Sequence, residues 1–541
     1  MDLLWKRLKG EFDMKHHIFN FRVINIENKD TNILKSNLLE INHLYLKFLK
    51  LINEDKEKAI DIHQSITKKY SHLQFTNALE FYSKKISNCK YKKNKKIIKT
   101  FESKYNYSCS LIVKKITSNS YKQKYLQYIN TIYTSRKDNA EYIDYYNSFN
   151  ASLIIHGKKI KITFLNIYDL MDLPISCSEK EKIYNLFSHK IKINEHKFKE
   201  YILESITKNE KTKNYFLIYM YQNGIKNDYI SMATKVIEKS NILQKYITYK
   251  KRRLGIQDIF HLELFSCNYD YKQKFQFDLN KIPLIFSDFG NNYIQSVLEF
   301  LNKKLFINKN IQNKGLTITD LSGNGFILLQ SFDNTAIDSV FILFHELGHL
   351  SYSFYSENKI VNTNDIIFSE IAAITNELIL NDYLMNNKIL YDNLYFLDST
   401  LKILTKGIES FKLLNSIYNS KSINYFSIKD EYYKIITELY KNQLIIEEGN
   451  IDFIIDNFIS NDIYYLRYML ALIISVNIFI NIKNHSNGIN EYINFLKYSS
   501  LCSDIDEALK IVGINLNEII TYERVIEYLY ELMKYNDIKH N

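Results

Sequence analysis

The chain has 541 residues, 46% of them hydrophobic and 14% aromatic, which gives it material for a large core and argues for a folded globular protein and against a disordered one. Its net charge of +11, from 71 basic and 60 acidic residues, is modest over that length and does not mark a nucleic-acid binder. The five cysteines (Cys89, Cys109, Cys177, Cys267 and Cys502) include no C-x-x-C pair, which argues against a disulfide frame or a thiolate zinc site and for reduced thiols.

Only two prolines (Pro174 and Pro283) and 13 glycines interrupt the chain, so long helices are expected. Met1 to Asp13 mixes Lys6, Arg7, Lys9, Glu11 and Asp13 into its apolar residues, which is not a signal-peptide core; a cytoplasmic protein without a membrane partner is the expectation. Residues 1–150 read as an N-terminal helical region, with helical spacing over Leu38–Ile52 and Tyr121–Tyr133. The lysine-rich run Lys84–Lys99, around Tyr91, reads as a solvated face, and so does Lys250-Lys251-Arg252-Arg253. Ser152–Leu165 alternates like strand around a His156-Gly157 turn, and helix returns over Ser178–Leu203 and Ile225–Leu254. Gly323 and Gly325 introduce Phe326–Gln330, read as a strand whose exposed edge could hold an extended peptide. Thr335–Tyr355 reads as a helix opened by a capping box between Thr335 and Asp338. Asp365–Met385 lacks Gly and Pro and reads as another helix. The apolar stretch Tyr468–Ile482 is too short to span a bilayer and is expected as a buried helix.

Within the Thr335 helix lies His345-Glu346-Leu347-Gly348-His349, the H-E-x-x-H pattern of zinc hydrolases. Residues four apart share a helix face, so both imidazoles can reach one Zn²⁺ while Glu346 stays beside them as general base. A catalytic zinc usually has three protein ligands and an open position for water. Glu370 is the first choice for the third, with Glu357 and Asp365 as weaker alternatives. Glu377, on the same helix face as Glu370, suits a hydrogen bond to a ligand imidazole. Ala372 and Ala373 would let this helix approach the motif closely.

These segments resemble a family. His345–His349 followed by Phe368-Ser-Glu-Ile-Ala-Ala-Ile-Thr-Asn-Glu377 is similar to the active-site helices of oligoendopeptidase F, in the thimet oligopeptidase-like group of zinc metallopeptidases. The similarity extends to Ser331-Phe-Asp-Asn-Thr335, Tyr246–Ile259 and Ile162–Phe187, and covers residues 150 to 535, with strong motifs only between 315 and 380. It implies Glu370 as third ligand and a mainly α, two-lobed metallopeptidase with a deep channel and a small β-sheet beside the motif helix. Residues 151–541 would form the catalytic region. Tyr352 stands where relatives often carry another His, and the link from His349 to Glu370 looks a few residues short. Ile463-Tyr-Tyr-Leu-Arg-Tyr468 resembles the family's Tyr-rich segment, which makes Tyr464, Tyr465 and Tyr468 candidates for touching substrate, although the His that precedes it in relatives is missing.

The implied activity is zinc-dependent hydrolysis of internal bonds in short unstructured peptides, with one Zn²⁺ per chain and water as nucleophile. Alternatives are a dedicated peptide-maturation protease, an end-trimming peptidase of the same chemistry, and an inactive homologue that only binds peptides.

Overall fold

The computed structural model describes residues 31–82, 151–155, 158–162, 224–265, 275–309, 314–320, 322–356, 365–387, 393–419, 425–446, 463–502 and 504–540. Isolated helical positions between 91 and 112, between 179 and 189, and at 220 are also described. In chain order the main elements are helices α1 (Thr31–Glu54) and α2 (Lys56–Tyr82), the hairpin β1 (Ala151–Ile155) and β2 (Lys158–Ile162), and helices α3 (Asn227–Ser240), α4 (Ile242–Leu254) and α5 (Asn291–Lys303). Strands β3 (Leu305–Ile307), β4 (Gly315–Thr319) and β5 (Gly325–Leu329) follow. Then come α6 (Ile337–Tyr355), α7 (Asp365–Asn386), α8 (Leu394–Asn419), α9 (Tyr425–Tyr440), α10 (Tyr464–Asn484), α11 (Gly488–Tyr498) and α12 (Ile519–His540). The protein is thus mainly helical with small sheets, as expected. Tyr121–Tyr133 and Ser178–Leu203 lie wholly or mostly outside the described residues, as do the His156-Gly157 turn and most of the Lys84–Lys99 run.

Chain contacts divide the protein into two compact units, each made of three stretches. One comprises Met1–Lys137, Phe275–Tyr383 and Asn481–Val512; the other comprises Asp138–Lys274, Leu384–Ile480 and Gly513–Asn541. The first unit therefore joins the N-terminal helices to the H-E-x-x-H segment, whereas the division at residue 150 drawn from the sequence follows chain order.

In the first unit the three-stranded sheet runs β3-β5-β4, with β3 parallel and β4 antiparallel to β5. Phe326–Gln330 does not supply an exposed edge, contrary to the sequence reading: β5 is the central strand and every residue of it is buried. Its run of apolar residues follows from having both faces covered. Phe326 and Leu328 pack on Phe75 and Leu79 of α2, while a Cβ at Gly325 would strike Leu350 of α6 on the opposite face. The edge beside α6 belongs to β4 instead.

The entry to α6 also departs from expectation. No capping box forms between Thr335 and Asp338; the helix begins at Ile337 with Ala336 as an N-cap that makes no side-chain bond. Asp333 instead orders the turn before the helix, its Oδ1 accepting from Thr335 N (2.9 Å) and Thr335 Oγ1 (2.6 Å), while its own N–H donates to Ser339 Oγ in the first turn of α6 at 3.0 Å. The spacing of Asp333 and Ser339 straddles the turn, which a fixed four-residue pattern misses.

In the second unit, Ile225–Leu254 is helical as expected from Asn227 on, in two helices that meet at Asn241. Asn241 sits at φ 56°, the left-handed region that Asn tolerates, and Ser240 Oγ accepts from Ile242 N across the break. Lys250 is not solvated: at 1% exposure its Nζ donates to Asp398 Oδ2 (2.9 Å) and Leu264 O (2.6 Å), as a buried ammonium must. Glu409 is likewise buried, accepting from Lys406 Nζ, Tyr432 OH and Tyr440 OH at 2.9, 2.6 and 2.5 Å, with His261 Nε2 at 3.3 Å. Burial alone would raise its pKa, but the Lys406 and His261 charges and these hydrogen bonds pull it well below the usual range. The Tyr468–Ile482 stretch is part of the 21-residue α10, so it is long enough to cross a membrane after all. Yet 72% of its most apolar window is buried inside the protein, which makes it a core helix.

Candidate metal centre

Two helices of the first unit build the site. His345 and His349 lie one turn apart on α6, rings nearly perpendicular at 89°, with their Nε2 atoms 3.0 Å from each other. Glu370, in the second turn of α7, brings Oε2 to 3.6 Å from His345 Nε2 and 3.8 Å from His349 Nε2. Among the described residues, these three offer ligand atoms that all lie within 4.8 Å of one another. Zinc–nitrogen bonds of ~2.05 Å in a tetrahedral site place neighbouring donors roughly 3.3 Å apart, and the observed separations bracket that value.

Both imidazoles are aimed from behind. Glu377 Oε1 is 2.5 Å from His345 Nδ1, and Ser369 Oγ and O are 2.8 and 3.1 Å from His349 Nδ1. With each Nδ1–H donating to an oxygen, both Nε2 atoms turn to the same small space, where a proton or a metal ion can lie between them. Proton affinities diverge accordingly. Burial works against charge on both rings, but at His345 the Glu377 hydrogen bond and the charges of Glu377, Glu370 and Glu346 prevail, raising the pKa to about 9. At His349 burial and the His345 charge prevail, lowering it to about 3. By geometry the donor set, two imidazoles and one carboxylate around one point, fits a divalent metal, which would displace the proton that His345 otherwise holds.

Glu346, 6% exposed, sits between the two histidines in sequence and turns to β4, where Thr317 Oγ1 lies 2.6 Å from its Oε2. The two site helices approach at Gly348 against Ala372 and Ala373, the small residues expected to permit it. A Cβ on Gly348 would fall 2.5 Å from Ala372 O and from Ala373 Cα. Tyr293 OH reaches Asn376 Oδ1 of α7 and Ser351 Oγ of α6, and Asn376 Nδ2 donates to Phe344 O, holding the pair in register. For Gly348→Ala, better helix propensity returns about 1 kcal/mol, but a collision with backbone atoms that cannot rotate away outweighs it. A net loss of about 2 kcal/mol in urea unfolding, with weaker zinc retention, is expected; wild-type stability in that variant would show that the helices separate freely.

Of the sequence candidates, His345, His349, Glu370, Glu346 and Glu377 come together in this one site. Asp365 is the first residue of α7, more than a helical turn from Glu370, and Glu357 lies outside the described residues. Tyr352 is buried in α6. Tyr464 and Tyr468 open α10 in the second unit, rings 4.5 Å apart, with Tyr465 5.4 Å from Tyr464; Tyr464 is 47% exposed, so it is not a core aromatic. Sequence reasoning missed Ser369 and Thr317. Ser369 could have been found from its place beside Glu370, where a short hydroxyl side chain can reach a neighbouring ring; Thr317 carries no local signal.

No protein-family model matches the chain. An Oligoendopeptidase F homolog from Borreliella burgdorferi is 25% identical in an alignment 376 residues long that covers 64% of this chain and 63% of that protein. This chain is related to oligoendopeptidase F. The match spans just under two thirds of that relative's length. Solved structures extend the likeness in fold to nearly the whole chain. The oligoendopeptidase F of Enterococcus faecium superposes with a TM-score of 0.62 at 12% identity, covering 94% of this chain and 99% of that one. PZ peptidase A gives 0.66 at 14% identity over 95% and 99%. At such identities the scaffold is what this oligoendopeptidase F relative shares with them.

Proposed function

We propose that the chain is a zinc-dependent oligoendopeptidase that hydrolyses internal bonds of short, unstructured peptides. The observation that carries this reading is the convergence of His345, His349 and Glu370 on one point, with Glu346 on the same helix turn. These three residues would hold one Zn²⁺ per chain, with Glu377 and Ser369 fixing the imidazoles that bind it. When bound, zinc supplies a Lewis acid that polarises a peptide carbonyl and acidifies water. Glu346 then takes the water's proton and delivers it to the leaving amine. Beside it, β4 is an edge of its sheet among the described residues, and an extended peptide can pair with that edge through its backbone. By resemblance to the family's Tyr-rich segment alone, the Tyr464 or Tyr468 hydroxyl would donate to the developing oxyanion, a contribution often worth ~3 kcal/mol. Residues 151–541 are read as the catalytic region, with α2 of the N-terminal region supporting its sheet. A cytoplasmic location suits Cys109 and Cys502, both buried and neither in a disulfide.

A peptide blocked at both termini tests the reading. Internal cleavage is expected, abolished by a zinc chelator and restored by added zinc, from protein holding one zinc per chain. Cleavage confined to unblocked peptides would point to end-trimming, and absence of both zinc and cleavage to a peptide-binding homologue.

A further inference from the structure

We propose that Thr317 is the positioning residue of the base: its hydroxyl holds one oxygen of the Glu346 carboxylate and leaves the other to take the proton. This rests on the hydrolase reading above. Alternation along β4 puts Gly315, Thr317 and Thr319 on one face and Leu316 and Ile318 on the other, and Ile318 packs with Phe326 and Phe75 on the α2 side. Thr317 therefore faces α6. Its Oγ1 lies 2.6 Å from Glu346 Oε2 and 3.1 Å from Glu346 O; a hydroxyl has one proton to give, and the shorter, charged partner claims it. A β-branched side chain on a strand has few χ1 choices, so the donor is aimed before any substrate arrives.

Gly315 completes the arrangement from two residues away on the same face. A Cβ there would lie 2.6 Å from Ile342 Cγ2, 2.8 Å from Glu346 Oε1 and 3.0 Å from Glu346 Cγ, so the glycine leaves space both for Ile342 and for the second carboxylate oxygen. One strand thus clears room for one oxygen of the base and grips the other. A glutamate has three side-chain torsions, and a free one would spend much of its time turned away from the water it must deprotonate. Small misplacements of reacting groups are costly: about 1 Å can reduce rate about 100-fold.

The variants Thr317→Val and Thr317→Ser separate hydroxyl from shape. Val keeps the volume and the branching but removes the donor. Expected for T317V is a fall in kcat of roughly 10- to 100-fold with KM within about twofold, one zinc per chain and an unchanged thermal midpoint. T317S, which keeps the donor, should recover most of the kcat. Wild-type kcat in T317V overturns the proposal, and so do equal losses in T317V and T317S, which would assign the effect to strand packing. If the wild-type protein hydrolyses no peptide, the hydrolase reading fails while this one is still decided by crystal structures of the same variants. A Glu346 carboxylate displaced in T317V and restored in T317S supports the grip; an unmoved carboxylate in T317V overturns it.

Discussion

Glu346→Gln should lower kcat by about 1,000-fold while the protein keeps one zinc per chain. Gln matches Glu in size, and its amide oxygen can still accept from Thr317 Oγ1, so the packing of α6 against β4 is preserved. What the amide cannot do is accept a proton from water at neutral pH, and general base catalysis is typically worth 10²- to 10⁴-fold. The metal should be unaffected because its three proposed donors, His345, His349 and Glu370, are untouched. Steady-state kinetics on the blocked peptide, with zinc measured on the same sample, checks both halves. Undiminished turnover would remove Glu346 from the role of base, and loss of zinc together with turnover would make it a structural member of the site.

Glu370→Ala is expected to have the largest effect on the metal itself. The two imidazole Nε2 atoms remain 3.0 Å apart, but the carboxylate that completes the site from α7 is gone, and with it the negative charge that offsets a dication in a partly buried place. Zinc affinity, measured by competition with a chromogenic chelator, should fall by more than about 100-fold, because altering a mere outer partner already costs 10- to 100-fold. Glu377→Gln supplies that comparison: it leaves the three donors in place and weakens only the hydrogen bond to His345 Nδ1, so its loss should be the smaller of the two. Wild-type zinc affinity in the Glu370→Ala protein would move the third ligand elsewhere, with Asp365 and Glu357 the next acids to test.

The parts of the site that were legible in the sequence are those whose geometry is local. His345 and His349 share a helix face because they are four residues apart, and Glu370 and Glu377 do so because they are seven apart; a Gly- and Pro-poor, apolar-periodic stretch is enough to place each pair. Even the closeness of the two helices could be read from Gly348, Ala372 and Ala373, since small residues can only be useful there by letting backbones approach. The same local logic failed where a neighbour decided the outcome. Phe326–Gln330 has the composition of a strand, but whether a strand is central or an edge depends on β3 and β4, which pair with it from elsewhere in the chain. Lys250 reads as solvated beside three other cations until Asp398, 148 residues later, is brought against it.

By itself, then, the sequence determined the two histidines, the glutamate between them, the acidic helix that follows and a mainly helical chain, because helix periodicity is written in residue spacing. Only the tertiary structure decided which groups support them. Thr317 is 29 residues from Glu346, and its contact with the carboxylate exists only because β4 lies along α6. Ser369 reaches His349 only because α7 crosses α6 at a glycine. Such contacts depend on how separate elements pack, and packing follows from the shapes of all the surfaces that meet, which no single segment encodes.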